Sequence, residues 1–495
     1  MINLDNKNER MTPLSIILTI LAYFTAMLVV SRLAARGGDN SAFFRGKRKT
    51  SWWVVAFAMI GSCMSGVTFV SVPGMVGTSG MGYLQMCIGF FLGYLVIAFV
   101  LIPLYFRLNV YSIYQYLDRR YGMTTYKTGA WFFFLSKMLG ASVRLYLVCL
   151  TLQLLVFGPL GLPFALNVAV CMLIVLAYTF RGGVNSLVWT DVLRTGCMIT
   201  AVVLTLIFIA RNLGLDAKGM VASIRDSGMS RIFWFDDVNH PQYFWKQMLG
   251  GLFTVIAMTG LDQDMMQHTL CCKNPKDSQK NLVVSTLLQN AVIFLFLCLG
   301  VLLYRYAAAN GIPETGDKLF PAVATHAGLP AIVGILFIIG LVASAFGAGG
   351  SALTSLTTSF TVDILGTAGK DEAQVRRNRK RVHFGMTVGM GLTILIFSTL
   401  NNTSAIDAVY KLASYTYGPI LGLFAFGIAT RRTVRDKWVP LVAVAAPLIC
   451  LVLQLNSERW FGGYKFSYEL LLINAGITFA GLCLLIRKDT QTNQT

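Results

Sequence analysis

Long apolar stretches recur from one end of this 495-residue chain to the other. A membrane-spanning helix needs roughly 20 such residues, because the hydrocarbon core of a bilayer is about 30 Å thick. The pattern predicts an all-α integral membrane protein with a single polytopic domain over residues 1–495. About thirteen spans are predicted, at residues 12–33, 52–79, 83–106, 128–157, 163–180, 186–211, 243–267, 281–306, 329–367, 383–400, 405–430, 438–455 and 468–486.

The balance of residue types agrees with a membrane protein. Hydrophobic residues make up 55% of the chain and charged residues only 13%, which excludes a soluble globular protein. The net charge of +19 comes from Lys and Arg that are concentrated in alternate loops. Because cytoplasmic loops are enriched in these residues, the charge predicts topology and not nucleic-acid binding. We expect a multi-pass protein of the cell inner (plasma) membrane, with its N-terminus outside and its C-terminus in the cytoplasm.

The reactive residue types show no pattern typical of an enzyme. Nearly all of the ten cysteines lie inside apolar spans, without the spacing of a disulfide framework or a zinc site. The sequence contains no Ser-His-Asp or Cys-His grouping and no phosphate-binding loop. We therefore expect a protein that is not an enzyme and that uses no organic cofactor.

The second span differs from a simple membrane anchor. Residues 51–80 carry no charge, but their centre reads Gly61-Ser62-Cys63-Met64-Ser65-Gly66. Glycine disfavours helix by roughly 1 kcal/mol relative to alanine, so this segment is predicted to be interrupted. Interrupted helices hold substrate and ions in secondary transporters. Small residues in a span also allow two helices to pack closely, and this alternative remains open.

Several charged residues fall within spans, where they are costly unless they are paired or line a cavity. Asp191 and Arg194 are three positions apart on one helix and can form an ion pair. Lys137 and Arg144 are seven apart and share a helix face. An arginine at this depth is suited to bind a carboxylate through two parallel hydrogen bonds.

Polar groups also mark three later spans. Asp262, Gln263 and Asp264 end the seventh span, where they form either a gate or an ordinary polar helix end. The ninth span, rich in small and hydroxyl residues from Ser344 onward, offers the oxygen ligands that a group-1 cation accepts. In the eleventh span, the sequence Tyr417-Gly418-Pro419 predicts a break.

Taken together, these stretches resemble the sodium/solute symporter family, especially its sialic-acid-type and sugar-type members. The resemblance covers nearly the whole chain and implies a five-plus-five inverted-repeat transporter fold. It implies a peripheral first helix (12–33), a first repeat (51–211), a second repeat (243–430) and two peripheral C-terminal helices (438–486). Its motifs are residues 51–80, 189–192, 262–267, 344–364 and 417–419.

The resemblance also implies ion-binding residues. A first sodium site would use backbone oxygens of Gly61 and Met64, together with the ninth span. The matching positions in that span are Ser344, Gly347 and Ala348, and the family carries hydroxyl groups at the last two. This departure either abolishes the site or shifts its ligands to neighbouring hydroxyls. A second sodium site, found in sialic-acid-type members, would join Asp191 to Ser351, although Gly350 departs from its pattern.

The implied substrate residues are Ser65, Thr68, Gln85 and Arg144 by similarity to sialic-acid-type members, and Lys411 by similarity to sugar-type members. We expect a secondary active transporter that couples uptake of a small polar solute to a cation gradient, with sodium as the coupling ion. A sugar acid or sialic-acid-like solute is the first choice and a neutral sugar the second. The alternatives are proton-coupled or sodium-independent transport, or a non-transporting membrane sensor of the same fold.

Overall fold

The computed structural model describes residues 13–34, 51–108, 113–179, 184–269, 272–325, 328–366, 371–400 and 405–487. The all-α class is confirmed. The helices are α1 (Pro13–Ala34), α2 (Trp52–Cys63), α3 (Gly66–Ser79), α4 (Tyr83–Leu108), α5 (Gln115–Arg120), α6 (Met123–Phe157), α7 (Phe164–Thr179), α8 (Val184–Asn212), α9 (Ala217–Arg225), α10 (Phe244–Val255), α11 (Gln263–Thr269), α12 (Pro275–Ala309), α13 (Leu319–Ala324), α14 (Ala331–Ile364), α15 (Glu372–Leu400), α16 (Ala405–Ala429), α17 (Val439–Leu455), α18 (Ser457–Trp460) and α19 (Leu470–Leu484).

Each predicted span coincides with one helix or with a pair of helices in this order. Within the described ranges, eight helices are long and apolar enough to cross a membrane, and the bent pair α2–α3 makes a ninth. The helices α1, α7 and α19 contain shorter apolar segments. The count of thirteen spans therefore stays a prediction.

The predicted interruption of the second span is present. The axes of α2 and α3 meet at 64°, and Met64 and Ser65 between them have extended backbone conformations. The Ser65 amide, which begins the second helix, donates a hydrogen bond to Thr68 Oγ1 at 3.4 Å. The glycine- and serine-rich sequence thus ends one helix and starts the next in mid-span.

A second interruption separates α10 from α11 at Leu261 and Asp262. The helix α10 continues through a π-helical turn, Ile256–Gly260, before it stops. Two tyrosine hydroxyls donate hydrogen bonds to the freed carbonyl groups, Tyr105 to Gly260 at 2.8 Å and Tyr114 to Leu261 at 2.7 Å. Such partners are required, because lipid cannot hydrogen-bond a backbone group.

The two halves of the chain pack against each other in matching ways. The broken pair α2–α3 packs on α12, and the broken helix α10 packs on α4. In the same manner, α6 packs on α16, and α14 packs on α8. These four contacts join a helix of one half to a helix of the other, and they form two pairs that are related by exchanging the halves.

The predicted break at residues 417–419 is wrong, because α16 is continuous through Pro419. Proline has no amide hydrogen, so the carbonyl of Tyr415 lacks its usual donor within the helix. The Asn474 side chain of α19 supplies the missing donor, and its Nδ2 lies 3.0 Å from that oxygen and 2.9 Å from the Ser414 oxygen. Gly418 permits this approach, since a Cβ atom there would lie 2.6 Å from the Asn474 Cβ.

We predict that Asn474→Leu lowers the melting temperature of the purified protein, because two carbonyl groups lose a buried donor at a cost of about 1–3 kcal/mol. Asn474→Leu should lower the melting temperature less in a Pro419→Ala background, because the amide of residue 419 then donates a hydrogen bond to the Tyr415 carbonyl. Equal losses in both backgrounds would show that Asn474 does not compensate for the proline.

Candidate functional site

A cavity of about 90 Å³ lies beside the α2–α3 interruption and is bordered there by Met64 and Ser65. It has room for several water molecules, so backbone groups at the break meet a polar space and not lipid. The predicted substrate residues Ser65, Thr68 and Arg144 all line it. Its polar lining consists of Ser65, Thr68, Tyr83, Tyr94, Arg144, Thr254, Thr259, Gln289 and Tyr410.

Arg144 gives this cavity an unbalanced positive charge. Among the described residues that line it, Arg144 is the single charged side chain, and no Asp or Glu is present. The side chain is half-buried on α6 and forms no ion pair with any described residue. A guanidinium group in this setting presents a planar set of donors that matches a carboxylate.

Hydroxyl groups line part of the same cavity, and apolar side chains line the rest. Tyr83 and Tyr410 share a hydrogen bond of 2.6 Å between their hydroxyl oxygens. The Tyr94 hydroxyl lies 3.2 Å from Cys63 Sγ and donates to Gln289 Oε1 at 3.4 Å. These groups can both donate and accept, which suits a solute that carries several hydroxyl groups.

The sequence reasoning missed the aromatic side of the cavity, although a signal was present. Tyr83, Phe90 and Tyr94 all line it from α4. They are seven and four residues apart, which places them on one face of a helix. Thr254, Thr259 and Gln289 carried no comparable signal, because their positions depend on how α10 and α12 pack.

Two predicted substrate residues lie elsewhere. Gln85 is fully buried, and its Oε1 accepts a hydrogen bond from the Trp234 amide at 3.0 Å. Its Nε2 donates to the Gln242 carbonyl at 2.9 Å, so Gln85 anchors the segment before α10. Lys411 is exposed on α16 and is not among the residues that line the cavity, although its neighbour Tyr410 is.

Two of the three predicted gate residues, Asp262 and Asp264, form a buried ion network with Lys137. Lys137 Nζ lies 2.9 Å from Asp262 Oδ2 and 3.1 Å from Asp264 Oδ2. The Tyr417 hydroxyl donates to Asp262 Oδ2 at 2.9 Å, and Ser351 Oγ donates to Asp264 Oδ1 at 2.7 Å. The network therefore connects α6, α11, α14 and α16.

The position of this network follows from the second interruption. Asp262 Oδ1 accepts a hydrogen bond from the Asp264 amide at 2.9 Å and so caps the start of α11. Gln263 takes another role, since its Oε1 accepts from the Ile113 amide at 2.9 Å. A smaller cavity lined by Lys137, Asp262 and Arg144 lies between the network and the main cavity. Arg144 borders both spaces.

The predicted ion pair of Asp191 and Arg194 is present on α8, with 2.9 Å between Oδ1 and Nη2. Both side chains are buried. Ser62 Oγ donates to Asp191 Oδ2 at 2.7 Å, which ties α8 to α2 just before the interruption. Ser351, the expected partner of Asp191 in a second sodium site, is placed beside Asp264.

Two of the residues expected at the first sodium site, Gly61 and Gly347, lie beside Arg194. A Cβ atom at Gly347 would collide with Arg194 Nη1, and one at Gly61 would lie 3.2 Å from its Nε. Ser344 is fully buried and donates to a carbonyl of its own helix at 3.0 Å, and Ala348 is buried nearby on α14. The sequence reasoning did not place Arg194 in this group.

Comparisons with known proteins agree with this architecture. The model of the sodium:solute symporter family matches residues 43–436. The sodium/sialic acid symporter NanT of Aliivibrio fischeri is 27% identical over 84% of this chain and 83% of its own length. The sodium-coupled monocarboxylate transporter 1 of Mus musculus is 26% identical over 82% of this chain and 68% of its own length. A solved Na⁺-coupled sialic acid symporter superimposes with a TM-score of 0.79 at 20% identity, over 95% of this chain and 97% of that one.

We predict that Lys137→Met strongly lowers the yield and melting temperature of the purified protein. Removing one partner from a buried charge group costs about 3–5 kcal/mol, because the remaining charges are left uncompensated. Adding Asp264→Asn should restore part of the loss, since it removes one of the two facing carboxylates. A Lys137→Met protein as stable as the wild type would contradict the network.

Proposed function

The chain belongs to the sodium:solute symporter family, and from that premise we propose that it takes up a small carboxylate-bearing solute together with sodium. The solute class that we favour is a sugar acid or a sialic-acid-like molecule. Transport proceeds by alternating access, in which the central cavity opens to one side of the membrane at a time.

The charge of Arg144 is the observation that carries this proposal. In the main cavity no Asp or Glu among the described lining residues faces this cation, and a charge at membrane depth is costly unless a partner completes it. An anionic solute supplies the missing charge and accepts two parallel hydrogen bonds from the guanidinium group. A neutral sugar, the second choice, would leave Arg144 without a charged partner.

The remaining support comes from the lining and from the relatives. Tyr83, Tyr94 and Tyr410 supply hydroxyl groups in the same cavity as Arg144, as a polyhydroxylated solute requires. The two relatives described above are named for sialic acid and for monocarboxylates, and both are carboxylate-bearing solutes. A sugar acid carries both the hydroxyl groups and the carboxylate.

The ion network of Lys137, Asp262 and Asp264, which borders the same small cavity as Arg144, provides the gate in this scheme. Lys137, Asp262 and Asp264 join α6 to the short helix α11, so breaking their contacts frees α11 to move. We place this gate on the cytoplasmic side, with the N-terminus outside and the C-terminus in the cytoplasm. The exchanged packing of the two halves supports repeats at 51–211 and 243–430 that rock against each other.

Binding of the solute and binding of sodium strengthen each other because the two carry opposite charges. A bound carboxylate neutralises Arg144 and so lowers the electrostatic cost of a second cation in the interior. By thermodynamic linkage, sodium raises the affinity for the solute by the same factor. This mutual effect couples uptake to the sodium gradient.

Uptake into proteoliposomes tests the function directly. We expect an inward sodium gradient to drive accumulation of labelled N-acetylneuraminate or another sugar acid, and an imposed proton gradient alone to fail. Neutral sugars should accumulate much more slowly. Proton-driven uptake would favour the alternative coupling ion, and equal uptake of neutral sugars would overturn the substrate class.

Arg144→Ala should weaken binding of acidic solutes roughly 10- to 100-fold, because a charge-assisted hydrogen bond contributes about 1.5–3 kcal/mol. Lys127→Ala, at an exposed position of the same helix, is the matched control and should bind as the wild type does. Binding of labelled solute to the purified proteins measures both. An Arg144→Ala protein with wild-type affinity would exclude a carboxylate contact at this residue.

A further inference from the structure

The guanidinium group of Arg194 lies where the first sodium ion was expected. That position is defined by α2 near Gly61 and by α14 near Gly347. Arg194 reaches both helices from α8, with its Nε beside Gly61 and its Nη1 beside Gly347. The side chain is 2% exposed, so this is a fully buried charge.

The unusual residue at position 347 is explained by this arginine. A Cβ atom at Gly347 would collide with Nη1 and lie 2.7 Å from Cζ and 2.8 Å from Cδ of Arg194. A serine, which would supply a sodium ligand, therefore cannot fit while Arg194 holds its position. Glycine at 347 removes the hydroxyl ligand and makes room for the guanidinium group in the same step.

The electrostatics of the position also disfavour a second cation. Asp191 is engaged by Arg194 through Oδ1 and by Ser62 through Oδ2. Two positive charges in contact within a low-dielectric interior repel each other strongly. Arg194 Nε and Nη1 have no hydrogen-bond partner among the described residues, so no neighbouring oxygen offsets the positive potential of these two donors between Gly61 and Gly347.

We propose that Arg194 is a built-in cation that permanently takes the place of sodium at the position between Gly61 and Gly347. This proposal rests on the proposed function, in which sodium is the coupling ion, and it states that this sodium binds elsewhere. It predicts that the transporter carries one sodium ion fewer than the same scaffold would with the position open.

The test compares sodium binding in four full-length proteins purified in choline buffer. They are the wild type, Gly347→Ser/Ala348→Ser, the same pair combined with Arg194→Ala, and the control Arg211→Ala, which lies exposed at the end of α8. Equilibrium binding of ²²Na⁺ gives the number of ions bound per protein, and thermal unfolding gives stability.

The serine pair alone should bind no additional sodium and should melt at a lower temperature, because a serine side chain at position 347 collides with Arg194. The triple variant should bind one additional sodium ion, and its melting temperature should rise with sodium concentration, as ligand binding to the folded state requires. The control should match the wild type. An extra ion in the serine pair, or none in the triple variant, would overturn the proposal.

Arg194→Ala alone provides a second measurement in case the triple variant does not fold. Asp191 then lacks its cation, and either sodium or free guanidinium ion should raise the melting temperature, with the two competing for one position. Insensitivity to both ions would overturn the proposal. A wild type that binds no sodium, or whose uptake ignores sodium, would contradict the proposed function, while the difference between the wild type and the Arg194 variants would still test the built-in cation.

Discussion

The balance of buried charge is the constraint on which the centre of this protein depends. A charged group at membrane depth must be paired or must face a polar cavity. The central cations are Lys137, Arg144 and Arg194, and the central acids are Asp191, Asp262 and Asp264. The three positive and three negative charges add up to zero, but they are not paired one to one. Lys137 faces two acids, and Arg144 lines the main cavity without one. Arg144 and the network of Lys137 and Asp262 border the same small cavity, so the charges of the proposed solute site and the proposed gate can act on each other.

Backbone groups that lack a hydrogen bond within their own helix also need partners at membrane depth. The interruption after α10 is stable because two tyrosine hydroxyls serve the freed carbonyl groups of Gly260 and Leu261. At Pro419 the outcome is the reverse, since Asn474 supplies the missing donor and the helix continues. Where a helix breaks is thus decided by side chains from other helices as much as by its own sequence.

These contacts mark how far the sequence can be interpreted alone. The all-α class, the approximate positions of the helices and the ion pair of Asp191 with Arg194 depend on local patterns, and they could be predicted. The interruption at residues 64–65 was equally visible in its glycines and serines. The continuity of α16 could not be predicted, because it depends on a side chain from a distant part of the chain. Gln85 lies in the span that lines the cavity, yet it contacts the segment around Trp234.

At position 347, too, the sequence alone does not show a contact between distant parts of the chain. The missing hydroxyl was visible in the sequence, but its cause was not, because the contact between Gly347 and Arg194 joins two spans that are far apart in the chain. In the sequence, Gly347 looks like the loss of a sodium ligand. In the proposed arrangement, it makes room for the fixed positive charge of Arg194 in place of a sodium ion. The family relationship supports sodium as the coupling ion, and the proposed role of Arg194 places that ion away from the position between Gly61 and Gly347.

A cryo-EM structure of the protein with sodium and a sugar acid would test the central claim most directly. The account predicts that the solute carboxylate lies within hydrogen-bond distance of the Arg144 guanidinium group, and that Arg194 still fills the space between Gly61 and Gly347. A solute held away from Arg144, or a sodium ion between Gly61 and Gly347 with Arg194 displaced, would contradict it.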